Sequence, residues 1–180
     1  RELSWHDEWR ARSHDLQGKP VERARNGILR QPQYLPVITK RARMYLHYIV
    51  DRVEARDLPM ELALVPLVES MLNPFAASPS RAAGLWRIMP RTGKSLALEQ
   101  NWWYDGRKDI RTSTRAALDY LESLNKRFDG DWMLTLAAYN AGKGRVAKAQ
   151  RSNARAGKPT DYWSLRLPLE TRTYVPKIIA

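Results

Sequence analysis

Two stretches of this chain are apolar on nearly every face of a helix. Met60 to Ser70 is built mostly from Leu, Ala, Val and Met, and Trp132 to Ala141 is almost as apolar. A helix that is apolar all round must be buried by its neighbours, whereas a surface helix shows a single apolar stripe. The two stretches therefore predict two buried helices at the centre of the fold.

The segments around these stretches favour helices as well. Apolar residues recur at helical spacing from Pro36 to about Arg56, and a second such stripe follows a cap at Thr112 or Ser113 and ends at Phe128. Pro66 removes one helical hydrogen bond, so we expect it to kink the first buried helix. Asp131 is expected to cap the second buried helix. Three further helices are predicted, from Pro90 to Leu98, from Gly144 to Ala156, and from Glu170 to the end.

No segment shows a convincing strand alternation. We therefore predict a mainly α fold, α+β at most, as one globular helical domain. Residues 58–180 would form the main domain, and residues 1–57 a helical arm and a helix packed on it. Seven Trp and eight Tyr argue against disorder, and 180 residues suffice for one sizeable core. The longest apolar run, Leu62 to Val68, is far short of the roughly 20 residues of a membrane helix, and no leader opens the chain.

The positive charge of the chain lies mainly towards its end. The formal net charge is +12; residues 58–140 carry ten basic and nine acidic residues, and residues 141–180 carry nine and two. Such an excess points to an anionic partner. Binding to nucleic acid is disfavoured, because the basic flank has no stacking motif and the middle is nearly neutral. With no cysteine and no metal-ligand spacing at His6, His14 or His47, we expect no metal and no cofactor.

Glu69 is the residue of the first buried helix that needs an explanation. A carboxyl among Leu, Val and Met is rarely buried without a partner or a role. Burial and the negative end of the helix both disfavour its charged form and raise its pKa. A carboxyl that stays protonated near neutral pH can act as a general acid. The alternative is that Glu69 lies at the exposed edge of the helix and caps a loop.

The sequence near Glu69 contains no second carboxylate. No Asp or Glu occurs from Ser70 to Leu98, whereas ordinary glycosidases pair two carboxylates about 5–10 Å apart. A site with one carboxylate fits a reaction whose nucleophile belongs to the substrate. Basic residues occupy the loop expected to face Glu69, namely Arg81, Arg87, Arg91 and Lys94. Four later aspartates are more typical of turns and caps, namely Asp105, Asp109, Asp129 and Asp131.

Several short motifs in order along the chain resemble the lytic transglycosylase family with the goose-lysozyme-like fold. The resemblance covers roughly residues 30–180. The motifs that carry it are Glu69-Ser70, Asn73-Pro74, Ser78-Pro79, Gly84-Leu85-Trp86-Arg87-Ile88-Met89-Pro90, Asn101-Trp102-Trp103-Tyr104-Asp105, Phe128-Asp129-Gly130-Asp131-Trp132, Ala138-Tyr139-Asn140-Ala141-Gly142, Glu170-Thr171-Arg172 and Tyr174-Val175-Pro176.

The resemblance implies cleavage of the β-1,4 bond between N-acetylmuramic acid and N-acetylglucosamine in peptidoglycan glycan strands. No water enters the reaction, because the muramic 6-hydroxyl attacks its own C1 and gives a 1,6-anhydro product. Glu69 would protonate the leaving oxygen and then deprotonate the 6-hydroxyl. It also implies a substrate groove in a monomer in the bacterial cell envelope, on the periplasmic face of the outer membrane. Contact with the membrane would be only through a lipid anchor outside this chain, and LysM modules would follow it.

The resemblance also assigns substrate-binding positions. Plain core packing is the alternative for Trp86 and Met89, and Tyr139 has the alternative of a buried tyrosine with a satisfied hydroxyl. Tyr139 is expected to form a hydrogen bond near Glu69. The implied substrate-binding residues are Ser70, Ser78, Trp86, Arg87, Met89, Tyr139, Asn140 and Glu170.

Two positions depart from the family pattern, which usually has Gln at Arg87 and Glu at Lys143. A guanidinium near Glu69 would lower the pKa of the carboxyl and leave it mostly ionised at neutral pH. A murein-binding module with an impaired acid is therefore the alternative function. A lysozyme-type hydrolase is another, and the ends of the products distinguish it. Lys143 is expected on the surface just past a helix end, where a cation is favourable.

Overall fold

The computed structural model describes residues 26, 33 and 35–179. Within these residues the fold is helical, and its extended pairings are isolated bridges, such as Ala77 with Ala83. The α-helices are α1 (Leu35–Glu54), α2 (Val65–Ser70), α3 (Pro90–Ser95), α4 (Ile110–Arg127), α5 (Trp132–Ala141), α6 (Lys143–Arg155) and α7 (Leu169–Ile179), and two 3₁₀ helices span Met60–Leu64 and Tyr162–Ser164. The predicted mainly α fold is confirmed.

Helix α5 lies at the centre, as its apolar sequence predicts. It packs against α4, α6 and α7, and its residues 134–138 are all buried. The Asp131 side chain caps it by accepting a hydrogen bond from the backbone N–H of Leu134 at 3.0 Å. The predicted cap is therefore confirmed.

The other apolar stretch is divided into two helices, so the expectation of one kinked helix is wrong. The 3₁₀ helix Met60–Leu64 leads directly into α2, and Pro66 lies in the first turn of α2. A first-turn residue has no helical acceptor for its N–H, so the missing N–H of proline costs nothing there. Burial follows the prediction only in part, since Leu62, Val65 and Ser70 are buried, whereas Met60 and Leu64 are 43% and 37% exposed.

Helix α4 begins earlier than predicted. Its N-cap is Asp109, whose carboxylate accepts the backbone N–H of Thr112 at 2.7 Å, and neither Thr112 nor Ser113 caps it. The expected cap was wrong because an aspartate one turn upstream satisfies the same free backbone donors.

Helix α1 belongs to the same core as the rest of the domain. Its fully buried Ile49 and Val53 pack with side chains of the 3₁₀ helix and of α4, and α7 closes over α2. The expected arm within residues 1–34 lies outside the described residues, apart from residues 26 and 33. None of the described helices combines the length and the apolar character needed to cross a membrane.

The loop between α2 and α3 is held from behind by Arg107. The buried guanidinium donates to the carbonyl oxygens of Arg81 at 2.7 Å and Ile88 at 3.2 Å. Asp105 fixes the guanidinium through two hydrogen bonds of 2.9 and 2.7 Å. Gly84 lets the Arg107 backbone approach, because a Cβ built on Gly84 would lie 1.8 Å from the Arg107 carbonyl oxygen.

We expect Gly84→Ala to lower the free energy of unfolding by at least about 2 kcal/mol, since the added methyl meets rigid backbone and φ is +82°. The matched control is Gly144→Ala, because nothing lies within 4 Å of the added methyl and the residue is inside α6. There the free energy of unfolding should be unchanged or up to about 1 kcal/mol higher. Thermal and urea unfolding of both variants measures the difference, and equal effects would contradict the close approach.

Candidate active site

Glu69 lies one residue before the end of α2 and is half-buried as a residue, with its carboxyl largely removed from solvent. Burial is the main cause that raises the pKa of this carboxyl to about 7. Water stabilises a carboxylate far more than the surrounding apolar side chains can, so desolvation favours the protonated form. Near neutral pH this carboxyl can therefore carry its proton, which an exposed glutamate would have lost. This agrees with the buried acid expected from the sequence rather than with an exposed loop cap.

Helix α7 brings two side chains to Glu69. The Tyr174 hydroxyl is buried and has no partner of ordinary hydrogen-bond geometry among the described residues. Its proximity to the Glu69 carboxyl lowers the pKa of that carboxyl, because a phenol O–H turned towards the carboxylate stabilises the charged form. Glu170, four residues earlier on the same helix face, acts in the opposite direction by charge repulsion.

Arg87 also acts on Glu69, but less than expected. Its positive charge lowers the pKa of the Glu69 carboxyl, yet burial outweighs it and the pKa stays near 7. The predicted direction of the Arg87 effect therefore agrees with the structure, while burial keeps the pKa of Glu69 above the ordinary value of a carboxyl. A guanidinium can offset desolvation fully only by making close hydrogen bonds, and Arg87 acts on Glu69 through its charge alone.

The backbone beside Arg87 is pinned by neighbouring side chains. The Ser70 hydroxyl donates to the Leu85 carbonyl at 2.8 Å, and the Tyr139 hydroxyl donates to the Trp86 carbonyl at 2.7 Å. The Trp86 indole N–H donates to the Thr114 hydroxyl at 3.0 Å. This loop therefore has little freedom to move relative to α2, α4 and α5.

Three residues expected to bind substrate thus have structural contacts instead. Trp86 is fully buried in the core, which agrees with the alternative of core packing, and its N–H is satisfied there by the Thr114 hydroxyl. The Ser70 hydroxyl is buried between two backbone carbonyls, those of Pro66 and Leu85. Burial raises the pKa of the Tyr139 hydroxyl, and Tyr139 is close enough to Glu69 for the charge of Glu69 to raise it as well. That hydroxyl donates its hydrogen bond to the Trp86 carbonyl in the loop.

Other expected residues remain accessible. Met89 is 42% exposed, just before α3. The half-buried Ser78 hydroxyl accepts the backbone N–H of Ala82 at 3.0 Å. Asn140 joins α5 to α7, since its side chain accepts the Thr171 hydroxyl at 2.8 Å and donates to the exposed Glu170 carboxylate at 3.4 Å.

The four later aspartates serve local structure. Asp105 pairs with Arg107, Asp109 and Asp131 cap helices, and Asp129 adopts a positive φ in the turn between α4 and α5. Hydrogen bonds from Arg107 hold the pKa of the Asp105 carboxyl below its ordinary value, and hydrogen bonds from Thr112 do the same at Asp109. No group of three or more His, Asp or Glu side chains in the described part of the chain is placed to hold a metal ion.

Sequence reasoning missed Tyr174 and Arg107. Tyr174 was noted as part of a motif but given no role, although its spacing of four from Glu170 puts both on one helix face. Nothing in the sequence pairs Arg107 with carbonyl oxygens 19 and 26 residues away.

The fold and this site define a lysozyme-like domain of the transglycosylase class. Residues 50–161 match the family model described as the transglycosylase SLT domain, and the chain belongs to that family. It is 49% identical over 160 residues to membrane-bound lytic murein transglycosylase D of Escherichia coli, a match that covers 89% of this chain and 35% of that protein. The soluble lytic murein transglycosylase of Escherichia coli is 29% identical over 131 residues, covering 69% of this chain and 20% of that protein.

Solved structures share the fold. The 70 kDa soluble lytic transglycosylase of Escherichia coli aligns with a TM-score of 0.53 and 26% identity, over 74% of this chain and 22% of that one. An inactive mutant of lytic transglycosylase Slt from Pseudomonas aeruginosa aligns with a TM-score of 0.58 and 24% identity, over 73% and 22%.

We expect the burial of Glu69 to lower stability as pH rises. With a pKa of about 7 in the folded chain and 4.5 unfolded, the folded state binds the proton more tightly, so stability present below pH 4.5 is lost as pH rises through about 7. The change in the free energy of unfolding caused by Glu69→Gln should therefore depend on pH. It should be more favourable above pH 8 than below pH 4.5, by up to about 3 kcal/mol. Urea unfolding at several pH values measures this. The exposed control Glu54→Gln should show no such trend, and a parallel trend in both would contradict the buried carboxyl.

Proposed function

We propose that this chain is the catalytic domain of a lytic transglycosylase that acts on peptidoglycan. It would cleave the β-1,4 bond between N-acetylmuramic acid and N-acetylglucosamine and release 1,6-anhydromuramic ends. Membership of the transglycosylase SLT family and the names of the relatives support the reaction class and the substrate. The observation that carries the proposal is the buried Glu69 carboxyl, whose pKa lies near 7.

Glu69 would act first as an acid and then as a base. The protonated carboxyl gives its proton to the glycosidic oxygen as the bond from that oxygen to C1 breaks. The carbonyl oxygen of the substrate's acetamido group holds the cation at C1. The muramic 6-hydroxyl oxygen then bonds to C1, and its proton goes to the Glu69 carboxylate. A pKa near the working pH suits a group that both gives and takes a proton.

The neighbours of Glu69 would serve the two halves of this cycle. Glu170 repels the charged form and so favours the proton needed for the first step. After proton transfer, the Tyr174 hydroxyl and the positive charge of Arg87 stabilise the carboxylate. The opposing influences keep the pKa of Glu69 close to neutral, which supports an active enzyme over an impaired murein-binding module.

Substrate contacts are proposed for the accessible members of the site. The Ser78 hydroxyl, the Met89 side chain and the Asn140–Glu170 pair would form the substrate groove, and Arg87 would contact the charged parts of the substrate. Ser70, Trp86 and Tyr139 would act by holding the loop rather than by touching sugar. We further propose that the chain works as a monomer in the bacterial cell envelope, since the curated relatives are murein transglycosylases.

One observation favours a second candidate, a hydrolase of the lysozyme type. Glu170 is close enough to repel Glu69, so the site contains a second carboxylate that the sequence spacing did not indicate. In a hydrolase this carboxylate would assist an attacking water or the cation at C1.

The products decide between the two. We expect digestion of purified murein to release muropeptides about 18 Da lighter than the products of hydrolysis, because no water is added. Glu170→Gln should still yield anhydro ends at a reduced rate. Mass spectrometry of both digests measures this. Reducing ends that the original chain produces and the Glu170→Gln variant does not would establish the hydrolase.

Loss of the acid should abolish the reaction. We expect Glu69→Gln to fold and to lose at least about 100-fold in rate, the lower range for one acid–base group. Muropeptide release per unit time measures the rate, and circular dichroism checks the fold. A folded variant with near-normal turnover would remove Glu69 from this role.

Arg87 should set the alkaline limit of activity. Because its charge lowers the pKa of Glu69, we expect Arg87→Gln to raise that pKa and move the alkaline limb of the kcat profile to higher pH. The control is Arg81→Gln, an exposed arginine on the same loop that does not affect the pKa of Glu69. If Arg87 instead binds the anionic peptide stem, KM rises and the limb stays in place, which would contradict the pKa argument.

A further inference from the structure

A cavity of about 500 Å³ lies between the end of α1 and the start of α4, with no residue of the candidate active site in its lining. Its walls carry four arginines and no acidic side chain. The lining of the cavity includes Tyr48, Arg52, Arg56, Arg111, Thr112 and Arg115. Like charges gathered around one cavity repel one another, so an anion that entered it would be stabilised.

Among the described residues, carboxylates pair directly with Arg56, and the charge of Asp109 acts on Arg111 without an ion pair within 4.0 Å. Arg56 donates to the carboxylates of Asp119 and Glu122, both at 2.7 Å. Neither Arg111 nor Arg115 forms an ion pair within 4.0 Å with any acidic residue in the described part of the chain. The pair at Arg56 therefore leaves an excess of positive charge in the cavity.

The free guanidinium groups come from two helices. Arg111 and Arg115 are four residues apart on one exposed face of α4, so their side chains lie next to each other. Arg52 reaches from α1 with its guanidinium carbon 5.5 Å from the centre of the Tyr48 ring. The contact with the ring uses none of the N–H donors of Arg52, and none of the hydrogen bonds found among the described residues uses them either.

We propose that this cavity binds a phosphate group, free or as the ester of a small molecule or a lipid. Guanidinium groups from two helices suit a tetrahedral anion, which has several acceptor oxygens. A planar carboxylate has only two oxygens, and the paired N–H donors of one guanidinium satisfy both. The half-buried Tyr48 ring and the exposed Ala55 side chain offer an apolar wall to the organic part of an ester. The proposal does not depend on the proposed function, because it uses none of the residues near Glu69.

The test measures the binding of inorganic phosphate and of glycerol phosphate at constant ionic strength. Binding is detected by calorimetry and by NMR of the arginine side chains. We expect the double substitution Arg111→Gln/Arg115→Gln to weaken binding at least about tenfold, since it removes two charge-assisted donors. The matched control is Arg151→Gln/Arg155→Gln, which removes the same charge at the same spacing from the exposed face of α6. The control should bind phosphate as the original chain does.

Vesicles distinguish the two sources of the phosphate. Co-sedimentation with phosphatidylglycerol vesicles that is lost in Arg111→Gln/Arg115→Gln but kept in the control assigns the site to a lipid headgroup. Binding of the soluble phosphates with the same pattern, without vesicle binding, assigns it to a small ligand, and either result supports the site.

Three results would overturn the proposal. They are absence of phosphate binding, an equal loss in the two double variants, and binding of succinate as tight as that of phosphate. Arg52→Gln provides a second variant from the other helix, and it should also weaken binding. Thermal unfolding of each variant verifies that the loss does not come from the fold.

Discussion

The site depends on the removal of one carboxyl from water. Glu69 is held in an apolar helix end, and the resulting desolvation is the largest influence on its pKa. Neighbouring charges and the tyrosine hydroxyl modify this effect in both directions without reversing it. The consequence is a carboxyl that can be either protonated or ionised near neutral pH, at a cost in stability when it ionises.

A rigid loop keeps that balance constant. Side chains from α2, α4, α5 and the Asp105–Arg107 pair hold the backbone on both sides of Arg87. Arg87 itself adopts a positive φ of 52°, which a non-glycine residue holds only when its surroundings fix it. Because the coulombic influence of Arg87 varies with its distance from Glu69, fixing the loop also fixes the pKa of the acid.

The acidic residues of the domain fall into separate physical roles. Asp109 and Asp131 satisfy helix N-termini, and Asp105 supports Arg107. Asp119 and Glu122 hold Arg56 at the edge of the basic cavity. Glu69 and Glu170 are brought together from helices α2 and α7, where the charge of Glu170 raises the pKa of the Glu69 carboxyl.

The sequence by itself determined the helical class, the burial of its two apolar stretches, and Glu69 as the unusual carboxyl. These follow from local composition and period, which act over a few residues along the chain. The cap at Asp131 was predictable for the same reason, whereas the start of α4 was predicted at Thr112 or Ser113, although Asp109 was also described as a turn or cap residue.

Only the tertiary structure decided which side chains meet at Glu69. Tyr174 and Glu170 reach it from a helix about a hundred residues away in sequence, because α7 packs on α2. Trp86 has the pattern of a groove residue, yet its ring is buried because Thr114 on α4 offers its N–H a partner. The modest effect of Arg87 was equally unpredictable. A pKa follows from burial and from distances in three dimensions, and the order of residues in a sequence contains neither directly.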